Sequence, residues 1–238
     1  MKLPQDKMSI PAPADVFDYI RRLGWRRALL RGAYVAANQL ISLSVFDCLR
    51  LGRDDINVKL AELSSRYECR FLDPGEADRF EGQLEGLTAR NLRRAEVCGD
   101  AVYVVLDGER LANIGFYAAG PTPVQDDLVI HFAPPSRYMY GGYTPVAYRG
   151  SRLHALGILR AARELFEQHV PQLVSVCERT NYRAAVSVSR MGWKPCGTLC
   201  RVGLGPRNWI GRTATASALG MDLQWRNPVD LTGACGQF

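Results

Sequence analysis

The sequence predicts a mixed fold of the α+β or α/β kind, in which strands and helices alternate over most of the chain and an extra helical segment precedes them. Three stretches carry that expectation. Ala101 to Leu106 and Leu111 to Ala118 are strand-forming runs joined over Asp107-Gly108, a hairpin dipeptide. After Gly150, the positions Ala155, Ile158, Leu159, Ala162, Leu165 and Phe166 share one helical face, and Arg160, Arg163, Glu164 and Glu167 lie opposite. Leu173 to Cys177 is a predominantly apolar run of strand length, as a strand buried on both faces requires.

With 238 residues and 47% hydrophobic content, the chain can bury a full core. Lys+Arg number 30 against 24 Asp+Glu, and the net charge of +6 favours an anionic partner. The start, Met1-Lys2-Leu3-Pro4-Gln5-Asp6, lacks the charged-then-apolar layout of a secretory signal, and seven cysteines are an odd number. A reducing cytoplasm, with a place at the inner face of the membrane as its variant, is the expected location. Cys196 and Cys200 stand four apart, but His131, His154 and His169 are dispersed, so no metal site is expected. The uncharged run from Gly32 to Phe46 is shorter than the roughly 20 residues that a spanning helix needs.

Residues 1–68 read as a basic helical extension. Val16, Ile20, Leu23 and Leu30 share a face, Gly24 marks a break, and Trp25, Ala28, Leu29, Gly32 and Ala36 form a second stripe. Arg21, Arg22, Arg26, Arg27 and Arg31 stand there without an acidic neighbour, as a solvated face or as a surface for an acidic carrier protein or an anionic membrane. Nucleic acid fits less well, because the aromatics are not interleaved with the arginines. Residues 69–205 form the main domain. A helix is expected from Asp73 to about Leu87, a loop at Pro121 and Pro123, and strands over Leu128 to Phe132 and Tyr138 to Pro145. A second helix runs from Asn181 to Met191 and closes at Gly192, and Trp193 to Gly203 returns as strand. Residues 206–238, rich in small residues, form a tail packed on or extending the domain.

The strand ending at Pro145 turns over Arg149-Gly150 directly into a helix. The first N–H groups of a helix lack partners within it, and its dipole favours negative charge, so this joint is an anion site in outline. In this order of elements, Tyr148-Arg149-Gly150 resembles the entry to the pyrophosphate loop of the GNAT acyltransferases, the Gcn5-related N-acetyltransferases. Asn181-Tyr182-Arg183-Ala184 through Met191-Gly192-Trp193 resembles the later signature of that family, and the likeness covers about Arg70 to Gly205. It implies a twisted mixed sheet, flanked by helices, in which two neighbouring strands splay apart.

The resemblance further implies an acyl-pantetheine co-substrate, acetyl-coenzyme A or another acyl-coenzyme A, transferring its acyl group to a small-molecule amine. The pantetheine arm would pair with backbone around Tyr143, Thr144 and Val146. Arg149, Gly150, Ser151, Arg152, Leu153 and His154 would cradle the phosphates, and Asn181 would meet the pantetheine or simply cap its helix. The family's loop has small residues where this chain has Arg152 and His154, and many members carry a proton-donating Tyr where Val188 stands. An acyl carrier protein, which presents pantetheine without the nucleotide, is therefore the alternative donor, and a domain without catalysis is the third reading. Glu178, following the buried strand, is the first candidate base and His131 the second, with Tyr143 near the motif as a source of a proton. Cys177 suggests a covalent route, but a buried strand holds a thiol protonated.

Overall fold

A computed structural model describes residues 20–225, apart from 22–23, 63–65, 74, 77, 85, 126 and 205–206. Val16 and Leu23 of the expected first helical stripe therefore fall outside the described residues, as do Arg22 and residues 226–238.

In chain order the elements are α1 (Trp25–Leu40), β1 (Ser42–Gly52), α2 (Val58–Ala61), β2 (Glu68–Phe71), α3 (Asp78–Glu81) and α4 (Gly86–Cys98). The hairpin β3 (Ala101–Asp107) and β4 (Arg110–Ala118) follows, then β5 (Thr122–Gln125), β6 (Leu128–His131) and β7 (Arg137–Tyr143). The remainder comprises α5 (Leu153–Glu167), β8 (Gln172–Glu178), α6 (Tyr182–Met191), β9 (Lys194–Leu204), β10 (Arg207–Arg212), α7 (Ala214–Ala218) and β11 (Asp222–Trp225). Among the described residues no helix is long and apolar enough to cross a membrane.

Eight strands form one sheet in the order β10-β9-β1-β8-β7-β4-β3-β2, and β11-β6-β5 form a smaller one. Neighbours in the large sheet are antiparallel except β7 and β8, which α5 joins as a parallel crossover. The apolar side of α5 puts Ile158, Leu159, Leu165 and Phe166 against Leu49, Tyr103, Tyr117 and Leu173 on one face of the sheet. Each such side chain contributes roughly 1.5–3 kcal/mol when fully buried. On the other face, Leu92 and Ala95 of α4 meet Val102, Val104 and Phe116. The small sheet packs Leu128, Ile130 and Leu223 against Phe46, Cys48, Val174 and Leu199 on that same face.

The expected helical extension is corrected over its second half: Ser42–Gly52 is a strand between β8 and β9, inside the large sheet. Its alternation of Ser44, Phe46 and Cys48, all buried, is the period of a strand rather than of a helix. The single helix expected from Asp73 to Leu87 is also corrected. A short α3 and a separate α4 replace it, because the chain turns at Gly82 and re-enters at Gly86 with φ 57°. Thr122–Gln125 forms a short edge strand despite Pro123, which edge strands tolerate. The tail is more ordered than its periodicity suggests, since β10 extends the large sheet and β11 joins the small one.

Candidate active site

The pairing of β7 with β8 is confined to Arg137 with Leu173 and Tyr138 with Val174, and beyond these pairs the two strands part. Ser175 Oγ donates to Met139 O at 2.9 Å, a side chain taking over where the backbone ladder stops. On its other side β7 stays paired with β4, but Tyr140 opposes Phe116 and Tyr143 opposes Ile114, so Gly141 and Gly142 face Gly115 alone. This bulge bends β7 next to the opening. Gly141 has φ 63°, and a Cβ there would stand 2.4 Å from Asn91 Nδ2 and 2.9 Å from Phe116, so glycine is required.

The end of β7 is fixed from β4. Asn113, buried in the sheet, donates through Nδ2 to Tyr143 O at 2.8 Å and to Thr144 Oγ1 at 2.9 Å. From there the chain makes one turn of 3-10 helix at Val146–Tyr148 and enters the loop before α5. Arg149 Nε donates to Thr144 O at 3.2 Å, which braces the guanidinium at the loop, and Ser151 Oγ donates to Tyr148 O at 2.8 Å. Gly150 (φ 86°) and Arg152 (φ 63°) are both left-handed, and Arg152 occupies the N-cap position of α5 without a side-chain cap. The substituted loop therefore keeps a backbone that suits glycine at position 152. Leu153 is buried beneath the helix, while Val146, Gly150, Ser151 and Arg152 are exposed. His154 packs toward the bulge: a Cβ on Gly142 would meet its Cε1 at 2.6 Å, and burial lowers its pKa below the usual imidazole value.

Glu178 ends β8 opposite Phe46 of β1, half-buried. Because β8 stops there, the first residues of β1 have no strand on that side, and α1 covers them instead. Asn38 Oδ1 accepts from Leu43 N at 2.9 Å, Tyr34 Oη accepts from Val45 N at 3.3 Å, and it donates to Leu43 O at 2.8 Å. Burial pushes the Tyr34 phenol up to about 12, and the Glu178 carboxylate beside it adds to the rise. The same helix reaches the next turn, where Arg31 Nη1 donates to Thr180 O at 3.4 Å and the Arg27 guanidinium lies 5.2 Å from the Tyr182 ring centroid.

Asn181 caps α6, its Oδ1 accepting from Ala184 N at 3.2 Å. Arg179 pairs with Asp47 at 2.5 Å. The Cys177 thiol is raised by burial and then by Asp47 and Glu178, which disfavours the thiolate that a covalent route would need. Tyr143, Thr144 and the loop from Val146 to His154 thus follow β7, and Glu178 and Asn181 lie at and just after the end of β8, the strand that parts from it. His131 is not on either strand of that opening: it ends β6 opposite Asp222 of β11. The Tyr143 ring packs on the cluster around Leu92 and Phe116. Sequence reading missed Tyr34, Asn113 and the two glycines of the bulge. Paired glycines within a strand were the one available signal, since they mark a bulge.

No protein-family model matches the chain, and no curated protein matches it either. Solved structures do. A Drosophila protein aligns at 15% identity over 75% of this chain and 57% of its own, with a TM-score of 0.50. A GCN5-related glucosamine N-acetyltransferase region of a fungal multi-domain GH3 β-N-acetylglucosaminidase aligns at 13% identity over 79% of this chain, with a TM-score of 0.50. The alignment spans 23% of that fungal chain. What these structures share with the chain is the mixed sheet with one parallel pair that opens beside a strand-loop-helix joint. The fold is that of the GCN5-related N-acetyltransferases.

Proposed function

We propose that the chain is an N-acyltransferase that moves an acyl group, acetyl in the first instance, from a pantetheine thioester to an amine. The observation that carries this reading is the parting of β7 from β8 after Tyr138 and Val174, with Glu178 at the end of β8. The opening leaves backbone groups of β7 without strand partners, a surface suited to the amide groups of pantetheine. The first N–H groups of α5, which lack partners within the helix, together with the exposed Arg149 and Arg152, suit phosphate.

An alkylamine, with a pKa near 10.4, is mostly protonated at neutral pH and must lose a proton before it attacks. Glu178 takes that proton. The amine nitrogen bonds to the thioester carbon, the carbon–sulfur bond breaks, and the sulfur leaves with the electron pair. Backbone N–H groups at the bulge of β7 meet the carbonyl oxygen as it becomes negative. Val188 offers no proton, so the proton that the acylated nitrogen releases passes through water to the leaving thiolate. His131 and Tyr143 take no step in this mechanism.

Arg152 and the His154 ring against the bulge occupy places where the pyrophosphate loops of similar proteins are small, which favours an acyl carrier protein as the second donor to test. Calorimetric titration of the full chain with acetyl-coenzyme A, long-chain acyl-coenzyme A and acyl carrier protein separates the donors. Saturable binding of acetyl-coenzyme A, lost in Arg149→Ala, is the expected result. Tight carrier binding that weakens with salt shifts the reading to the second donor, and no binding to any donor rejects both. Once an accepted amine is found, Glu178→Gln should lower kcat by about 100-fold or more with donor binding unchanged.

A further inference from the structure

The helix α1 is built the wrong way round for a water-facing element. Its protein side carries Arg31, Tyr34 and Asn38, whose polar groups bond to Thr180 and to the uncovered start of β1. Its outer side carries Trp25, Leu29, Leu30 and Leu40, exposed by 63%, 67%, 60% and 85%. An amphipathic surface helix places these residue types in the opposite arrangement. No acidic residue stands between Ile20 and Phe46, while Arg21 and Arg26 are exposed beside this face and the Arg26 guanidinium lies 5.5 Å from the Trp25 ring centroid.

The apolar surface continues onto one corner of the sheet. Ser42, just after α1, opposes Gly203, and Gly203 opposes Asn208. Leu40, Leu204 and Trp209 therefore stand within a few residues of one another's strand partners, and Leu204 and Trp209 are 55% and 52% exposed. Arg207, also exposed, adds charge of the same sign at this corner.

We propose that this face docks on an anionic lipid bilayer. Exposed tryptophan and leucine enter the boundary between headgroups and acyl chains, and arginines at the rim meet the lipid phosphates. An acidic protein partner would complement the arginines but leave six large apolar groups without a reason to be exposed. A bilayer accounts for both. The helix that carries this face holds the end of β8 from its opposite side, through Arg31 on Thr180 and Arg27 beside the Tyr182 ring. Docking needs no catalysis and stands independently of the acyltransferase reading.

The test is co-sedimentation of the full chain with phosphatidylcholine vesicles and with vesicles that also contain phosphatidylglycerol. Binding to the anionic vesicles, weakened by raised salt, is the expected result. The double variants Trp25→Ser with Leu29→Ser, and Arg21→Ala with Arg26→Ala, should each bind roughly tenfold more weakly. Their positions are exposed, so the thermal midpoint should hold and show that the fold survives. Absence of binding to anionic vesicles, or binding that neither pair alters, overturns the proposal. So does light scattering that finds a dimer which Leu29→Ser converts to monomer, because the face would then belong to a second copy of the chain.

Discussion

Arg152 holds a left-handed backbone, φ 63° and ψ 14°, where a residue without a Cβ has no strain. For an ordinary L-residue that conformation costs roughly 1–2 kcal/mol, part of which glycine gives back through its greater freedom when unfolded. Arg152→Gly should therefore raise stability by about 0.5–1 kcal/mol in urea denaturation, and Arg152→Ala should not. If the guanidinium meets donor phosphate, both variants should weaken donor binding alike in calorimetry. Weakening only in Arg152→Gly would assign the effect to the backbone, which alanine leaves as it is. A second consequence at this scale concerns alkali. Burial, then Cys196 and Asp47, push the Cys48 thiol from 9.0 up to about 12, and Tyr34 rises from 10.0 to about 12. A group whose pKa is raised on folding keeps its proton in the folded state while the unfolded chain releases it. The stability it contributes is whole below the unfolded value and is lost as pH rises through the folded one. The unfolding free energy from urea titration should accordingly fall between pH 9 and 12, by up to about 1.4 kcal/mol per unit through the buried Cys48 and by less through the partly exposed Tyr34. Cys48→Ala should flatten the early part of that fall, and a flat profile in the parent protein would refute the assignment.

Among the elements, α6 shows what local sequence specifies well. Asn181 caps its start, and Gly192, with φ 104°, closes it, with Gly192 N and Trp193 N bonding back to Ser189 O and Val188 O. Both ends are visible as letters in the chain. What the letters do not show is that a Cβ at Gly192 would stand 1.7 Å from Asp55 O, because the last turn packs on the 3-10 turn Arg53–Asp55. Asp55 is itself tied to Gly52 N at 3.1 Å and to Lys194. Gly192→Ala should thus cost at least about 3 kcal/mol, well beyond an ordinary cap replacement, as read from urea unfolding. The same division runs through the site. The loop from Arg149 to His154, the helix after it and the strand ending in Glu178 are contiguous, so their periodicity and turn residues reveal them. Tyr34 and Asn113 are not legible, because each acts across more than twenty-five residues of sequence: Asn113 on Tyr143 and Thr144, Tyr34 beside Glu178. The segment Ala89, Leu92 and Ala95 of α4 is hard to read in the sequence for another reason. Its buried face is made of small residues between charges, which gives a weak apolar period.

For the molecule as a whole, the decisive fact is that β1 lies between β8 and β9, so the strand nearest the start of the described chain completes the sheet beside the opening. Sequence order alone places residues 42–52 in an extension, since a strand inserted between two later ones pairs only with residues more than a hundred positions away. Phe46, Cys48, Leu49 and Leu51 of β1 are all buried. Each large side chain contributes roughly 1.5–3 kcal/mol, so losing the strand removes an amount on the order of the 5–15 kcal/mol that stabilises a typical domain. It also strips the partner from one edge of β8 and of β9, and unpaired edges associate. A chain starting at Cys69 should therefore fail to unfold cooperatively by circular dichroism and should bind a hydrophobic dye. A chain starting at Ser42 keeps β1 but loses the bonds from Tyr34 and Asn38 to Leu43 and Val45. It should retain one cooperative transition at a lower midpoint, with the carboxylate of Glu178 no longer beside Tyr34. If the shorter chain instead unfolded as cooperatively as the full one, β1 would be an addition to a self-sufficient domain, and the opening would have to be held apart by β7 and β8 alone.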